Sequence, residues 1–365
     1  VNHIDDLRTL CSINSYTQNR DGVNRVGELL DKWFCQLGFS VDLYRRLEIG
    51  THRHYTSVDG GGKKLLLLGH MDTVFAPGAF DRFDEDDEWV YGAGVCDMKG
   101  GIIVMLQALR EIKEQMMITD IDILLVSDEE SGSDDSKALT TSLASEYEYC
   151  FVYESAGADG EIVTARKGVG TFIAQIEGRA AHAGNHYEDG ADANLEAALK
   201  LQSLVALTDL SKGSTLNVGK VEGGIGANTI SPSAHLLFEI RFKSLDERDR
   251  LLQKIDDIIS ISRVEGTVTT LSGGIQRDVM QPDSRVFDLV DKLSKVASYT
   301  LKTQERGGVS DANTISAAGV LTLDGFGPFG DGDHTIYERA KKSSFSERIE
   351  LSSRLFRHLI INKGF

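Results

Sequence analysis

The chain has few cysteines, few prolines and no long apolar run, and each shortage excludes something. Its 365 residues contain four cysteines, Cys11, Cys35, Cys96 and Cys150, scattered without any paired metal-ligand spacing. Neither a disulfide framework nor a thiolate zinc site is indicated, and a reducing compartment is compatible with that pattern. Only four prolines occur, and none marks a linker. No segment approaches the ~18 apolar residues of a membrane span. Basic residues are in deficit: 39 Lys+Arg stand against 56 Asp+Glu, a formal net charge of -17. That balance argues against nucleic acid or an anionic membrane as the main partner, and it suits a protein that holds divalent cations. The opening VNHIDDL lacks the basic-then-apolar order of a secretion signal. The expected location is the cytoplasm, with the periplasm or secretion left open because a signal already removed leaves no trace.

At 41% hydrophobic, a chain this long can build two cores. Its first 160 residues alternate apolar and amphipathic runs, as strands and crossover helices of a parallel sheet do. Residues 26–37 read as a helix, KKLLLLG as a strand, 98–112 as a helix after a glycine-rich turn, and IDILLV and CFVY as further strands. Continuously apolar strands imply burial on both faces. From 167 to 274 the order becomes strand, helix, strand, strand, helix, strand, the split βαβ pattern of ferredoxin-like units. The α/β style then returns at 287–297, SAAGVLTLDG and a closing helix over 346–361. The expectation is an α/β protein: a mostly parallel-sheet catalytic domain formed by 1–166 and 275–365, with an inserted ferredoxin-like α+β dimerisation domain at 167–274.

The charged residues collect where strands end. SDEESGS, at 127–133, follows IDILLV and sets Asp128, Glu129 and Glu130 side by side. Adjacent carboxylates repel and are costly to bury without a cation or donors, so an isolated DEE reads as a solvated loop. Here it has company. GHMDTV places His70 and Asp72 past one strand, where a carboxylate can fix the tautomer of a ligating imidazole. YGAGVCDMKGGI puts Asp97 ahead of a helix, where it could equally be an N-cap. CFVYES ends on Glu154. A parallel sheet gathers such strand ends into one crevice. Carboxylates packed there with an imidazole call for divalent metal, and two ions about 3.5–4 Å apart sharing a carboxylate would account for the excess of ligands.

GHMDTV, GAGVCDMKGG, SDEESGS and VYES, followed in order by EGRAAHAG, GGIGANTISPSA, GGVSDANT and GFGPFGDGDHT, resemble the successive motifs of the dinuclear zinc amidohydrolases. That family includes glutamate carboxypeptidase, acetylornithine deacetylase, succinyl-diaminopimelate desuccinylase and the di- and tripeptidases, and the likeness extends over nearly the whole chain. It implies that His70 and Glu154 bind one metal, that Asp97 bridges, and that Glu130 and His334 hold the other. Glu129 then matches the residue that takes a proton from water and delivers it to the departing amine. Asp128 is left as a loop residue, and Cys96 as a small buried side chain. The metals implied are two zinc ions per subunit, with cobalt or manganese able to occupy the same ligands.

The resemblance also implies an amide substrate with a free carboxylate, a small peptide or an N-acyl amino acid, which a cation must meet. Arg277, in GGIQRDVMQP, matches the family arginine; Arg241, in FEIRF, is a second candidate, although strand arginines commonly pair across a sheet. Gly307, Gly308 and Ser310 lie in the loop whose backbone approaches the substrate. The family's inserted domain pairs with its copy, which implies a homodimer in which His182, joined by Asn228, donates to the partner's oxyanion. The motif set looks closest to glutamate carboxypeptidase, so the expected activity is hydrolysis beside a C-terminal carboxylate, with release of glutamate as one form. N-acyl amino acid deacylation is the alternative. A non-catalytic relative would have lost Glu129 or a metal ligand, and neither is missing.

Overall fold

The computed structural model describes residues 3–365. The chain divides into two compact units: one comprises the chain up to Ala165 with Pro282–Arg306 and Ser310–Phe365, the other Arg166–Gln281 with Gly307–Val309.

The first unit is built on a six-stranded sheet in the order Ser40–Tyr44, His52–Thr56, Ile121–Val126, Leu65–His70, Tyr149–Val152, Leu321–Leu323. The last four are mutually parallel, and only His52–Thr56 runs against its neighbours. Leu65 through His70 are all buried. Leu65 and Leu67 join the main core with Ile102, Met105 and Phe151. Leu66 and Leu68, which alternation turns to the opposite face, are equally buried, so both faces are covered. The helices Lys99–Lys113 and Lys342–Asn362 pack on each other, while the short helix Asp311–Ala317 lies against the central strands. No helix among the described residues is long and apolar enough to cross a membrane.

The strand pair Ser40–Tyr44 and His52–Thr56 escapes a reading based on apolar periodicity. HRHYT is polar by letter yet almost wholly buried, because each polar group finds a partner: His52 with Ser127 and Asp135, Arg53 with Asp31, and His54 with the Tyr147 hydroxyl. The helix expected over 26–37 begins at Arg20, where Asn19 accepts the Gly22 N–H and caps the first turn.

The second unit is an antiparallel sheet ordered Thr215–Gly223, Ser233–Phe242, Gly168–Glu177, Val268–Arg277, with helices Ala193–Val205 and Leu245–Ser260 following the first and third strands in sequence. This is the split βαβ arrangement. Ala234, Leu236, Phe238, Ile240 and Phe242 are buried and the residues between them are not, so one face of that strand is core and the other is not. The unit ends at Gln281 rather than 274, because the last strand continues to Arg277, paired with Val169.

Candidate metal centre

His70, Glu129, Glu130 and Glu154 leave the main sheet at the same end. His70 is the last residue of its strand. Glu129 and Glu130 open a single helical turn just past Val126. Glu154 lies two residues beyond Val152. Asp97 and His334 come from loops joined by a small separate sheet: strand Arg339–Lys341 pairs both with Gly330–Asp331 and with Trp89–Tyr91. His334 itself has φ +61, a left-handed conformation that a residue other than glycine keeps only where its surroundings hold it.

Asp97 does not cap the helix it precedes, since no side chain does so. Its two oxygens face two different imidazoles. Oδ1 lies 3.1 Å from His70 Nε2, and Oδ2 lies 3.3 Å from His334 Nε2. Each imidazole has a glutamate of its own: Glu154 Oε1 is 3.6 Å from His70 Nε2, and Glu130 Oε2 is 3.2 Å from His334 Nε2. The ligand atoms of His70, Asp97 and Glu130 all lie within 4.8 Å of one another.

Asp72 ties the two sides of this cluster together. His70 Nδ1 lies 3.0 Å from the backbone oxygen of Asp72 and 3.4 Å from its carboxylate, so the backbone takes the closer contact expected of the side chain. The carboxylate accepts the Thr17 hydroxyl at 2.7 Å and the backbone N–H groups of Glu129 and Glu130. It thereby sets the turn that presents both glutamates. Asp128, between them and the strand, is buried and accepts the N–H groups of Asp135 and Ser136; its role is structural. The Cys96 thiol donates to Asp333 rather than facing the cluster.

Groups this close cannot all keep the charges they carry in water. Burial and then the charge of Asp97 push the Glu154 carboxyl well above its ordinary range. Glu130 is raised to about 8, again by burial first and Asp97 second. Burial also opposes ionisation of Asp97, but hydrogen bonds from His334 and His70 overcome it and hold that carboxylate below the usual range. His334, bonded to Asp97 and Glu130, is raised to about 11. Burial would lower His70, yet Asp72 and Asp97 outweigh it and the imidazole is raised. Without a cation, the crowding raises the affinity of two glutamates and two histidines for protons. A divalent cation supplies the same positive charge and requires those groups deprotonated. The donors are carboxylate and imidazole without thiolate, which fits a hard or borderline ion.

Cation affinity should therefore rise with pH. Below about 8, Glu130 holds a proton that the cation must displace, so binding releases protons and weakens as pH falls. Equilibrium dialysis from about pH 6 to 9 checks this, and an affinity independent of pH would contradict it.

Two residues that matter here are not evident from sequence. Thr17 stands in a segment with no motif. Glu338 is 1% exposed and accepts the backbone N–H groups of Gly94, Cys96 and Asp97 at 2.9–3.1 Å. Following His334 by four residues, it fixes the turn carrying Asp97 to the loop carrying His334; an acid so close to a candidate ligand was the available signal. Glu338→Ala orphans three N–H groups, each worth about 1–3 kcal/mol when buried. Both thermal stability and cation affinity should drop, and unchanged affinity at a lowered Tm would confine Glu338 to the fold.

In the second unit, His182 and Thr229 form a β-bridge, and the Ala183 N–H donates to the Asn228 carbonyl, so His182 and Asn228 are neighbours and both are exposed. His182 Nδ1 accepts the N–H groups of Gly184 and Asn185, which puts the ring proton on Nε2. Arg277 is buried at the end of its strand. Arg241 is held by Glu239 and donates to the Gly307 carbonyl, and Arg166 donates to the Gly308 carbonyl. These two arginines fix the 307–309 loop.

The chain is similar in sequence and fold to known proteins. Carboxypeptidase G2 of Pseudomonas sp. (strain RS-16) is 27% identical, covering 98% of this chain and 89% of that protein. An acetylornithine deacetylase of Pectobacterium carotovorum subsp. carotovorum (strain PC1) is 29% identical over 73% of this chain and 74% of its own. The fold matches a tripeptidase of Staphylococcus aureus subsp. aureus Mu50 with a TM-score of 0.82 at 22% identity, covering 99% of this chain and 98% of that one. The model of peptidase family M20/M25/M40 matches residues 66–358. The chain belongs to that family and is a metal-dependent hydrolase.

Proposed function

We propose that the protein is a dinuclear metallocarboxypeptidase that hydrolyses the amide next to a free C-terminal carboxylate, glutamate release included. The observation that carries the dinuclear part is the division of Asp97, with one oxygen toward His70 and Glu154 and the other toward His334 and Glu130. His70, Asp97 and Glu154 would hold one divalent ion, and His334, Asp97 and Glu130 the second, zinc by ligand type. When bound, such ions acidify water and polarise the scissile carbonyl.

The chain's own residues do the rest. Glu129 keeps no ligand duty in this scheme and takes a proton from water, then delivers it to the leaving amine. Its charge reaches both Glu130 and Glu154, so it stands close enough to the ligands to serve them. Asp72 orients His70 and the Glu129 turn together. Arg277 meets the substrate carboxylate, and the loop at Gly308 carries backbone groups for the same end. His182 and Asn228 supply donors for the developing oxyanion across a homodimer interface.

The preference for peptides draws on the full-length similarity to carboxypeptidase G2; the similarity to acetylornithine deacetylase favours the second reading, deacylation of N-acyl amino acids. A metal-loaded assay of Ala-Glu-type dipeptides beside N-acetyl and N-succinyl amino acids separates them. Turnover of the acyl amino acids with inert dipeptides would replace the first reading by the second.

A further inference from the structure

The long helix Lys342–Asn362 has no side-chain cap at its N-terminus. The Lys342 N–H is taken by the Glu88 carbonyl, and the first turn borders a cavity of about 230 Å³. Nearly two turns in, Arg348 lines that cavity and an adjoining one of about 380 Å³. Arg348 is 4% exposed, and its Nη2 is buried with no hydrogen-bond partner. Lys341, Ser344 and Arg348 fall at the i, i+3, i+7 spacing that aligns one helix face.

The surrounding charges are already engaged. Lys302 is paired with Asp159 at 2.9 Å, and Lys341 lies 3.7 Å from Glu88. Glu347, beside Arg348 in sequence, is exposed; its charge and that of Glu161 reach the guanidinium, with no ion pair to it among the described residues. Gly160 passes over the guanidinium without a side chain; a Cβ there would come within 3.6 Å of Nη2. Burial also pushes the Arg348 guanidinium below its ordinary pKa. A buried guanidinium with an unpartnered donor and no direct ion pair is costly, because removing water without replacing its hydrogen bonds is unfavourable.

We propose that the cavity at the N-terminus of this helix is a binding site for a small oxyanion, a carboxylate or a phosphate-like group, held by the Arg348 guanidinium and the first-turn N–H groups beyond that of Lys342. A planar donor fork facing an oxyanion forms charge-assisted hydrogen bonds, and the helix N-terminus adds donors and a favourable dipole. The residues involved are not those of the metal centre, and nothing in the hydrolytic reading requires them.

Calorimetric titration of the metal-loaded protein with sulfate, and separately with acetate, at ionic strength held constant with chloride, tests the site. One saturable site per chain is expected; saturation by sulfate alone identifies a phosphate-like ligand, and saturation by acetate alone a carboxylate. Arg348→Gln should weaken binding by about tenfold or more, the loss of a charged hydrogen bond. Because that variant alters a buried residue, two exposed positions provide a second reading: Lys302→Gln should weaken binding, and Glu347→Gln, which removes a competing carboxylate, should tighten it. Absence of saturable binding by either anion in the folded protein would overturn the proposal, as would isotherms unchanged in all three variants.

Discussion

Glu129→Gln should keep nearly its full complement of metal and lose about 10²- to 10⁴-fold in kcat, the usual worth of a positioned general acid-base group. The amide preserves shape and hydrogen bonding but cannot accept the proton. Its neighbour should behave in the opposite way. Glu130 Oε2 sits 3.2 Å from His334 Nε2 within the ligand cluster, so Glu130→Gln should weaken one metal site, and its loss of activity should be partly recovered at high metal concentration. Metal analysis beside steady-state kinetics reads both. Full activity in Glu129→Gln, or metal lost from it while Glu130→Gln stays loaded, would reverse the two roles.

The second large effect is expected at His182, outside the unit that carries the candidate metal ligands. Its Nδ1 is occupied by two backbone donors, leaving Nε2–H to donate from an exposed ring. Loss of an oxyanion donor commonly costs about 2.7–4 kcal/mol in the transition state, so His182→Ala should reduce kcat accordingly while metal content holds. The proposed action in trans is tested by complementation. Glu129→Gln and His182→Ala should each be nearly inactive, but in the proposed dimer a pair of one with the other would have one site that joins an intact Glu129 to an intact partner His182. Activity should return when the two are mixed under conditions of subunit exchange. A mixture shown by tagged chains to exchange yet remaining inactive would place His182 in cis or outside the reaction, and an active monomer would do the same more simply.

Legibility from sequence followed apolar pattern and motif. Continuous runs such as LLLLGH and IDILLV identified buried parallel strands because both faces are covered, and the alternation of 233–242 identified a one-sided strand. His52–Thr56 was hidden because its burial depends on hydrogen-bond partners far away in sequence, among them Asp135 and Tyr147. The convergence of acids and imidazoles was legible because charged residues at successive strand ends have one crevice to enter. Glu338 was not, since its importance lies in three backbone N–H groups more than 240 residues distant. Asp72 was half legible. Its closeness to His70 follows from spacing, but its grip on the Glu129–Glu130 turn depends on a tertiary contact.

The central claim is that Asp97 bridges two cations. Metal content measured on native protein and on Asp97→Asn, after dialysis against buffer with trace zinc, tests it most directly. The account predicts two equivalents per chain in the native protein and a sharp loss from both sites in the variant, because one side chain faces His70 and His334 alike. A native protein that saturates at one equivalent, or an Asp97→Asn variant that retains two, would contradict it.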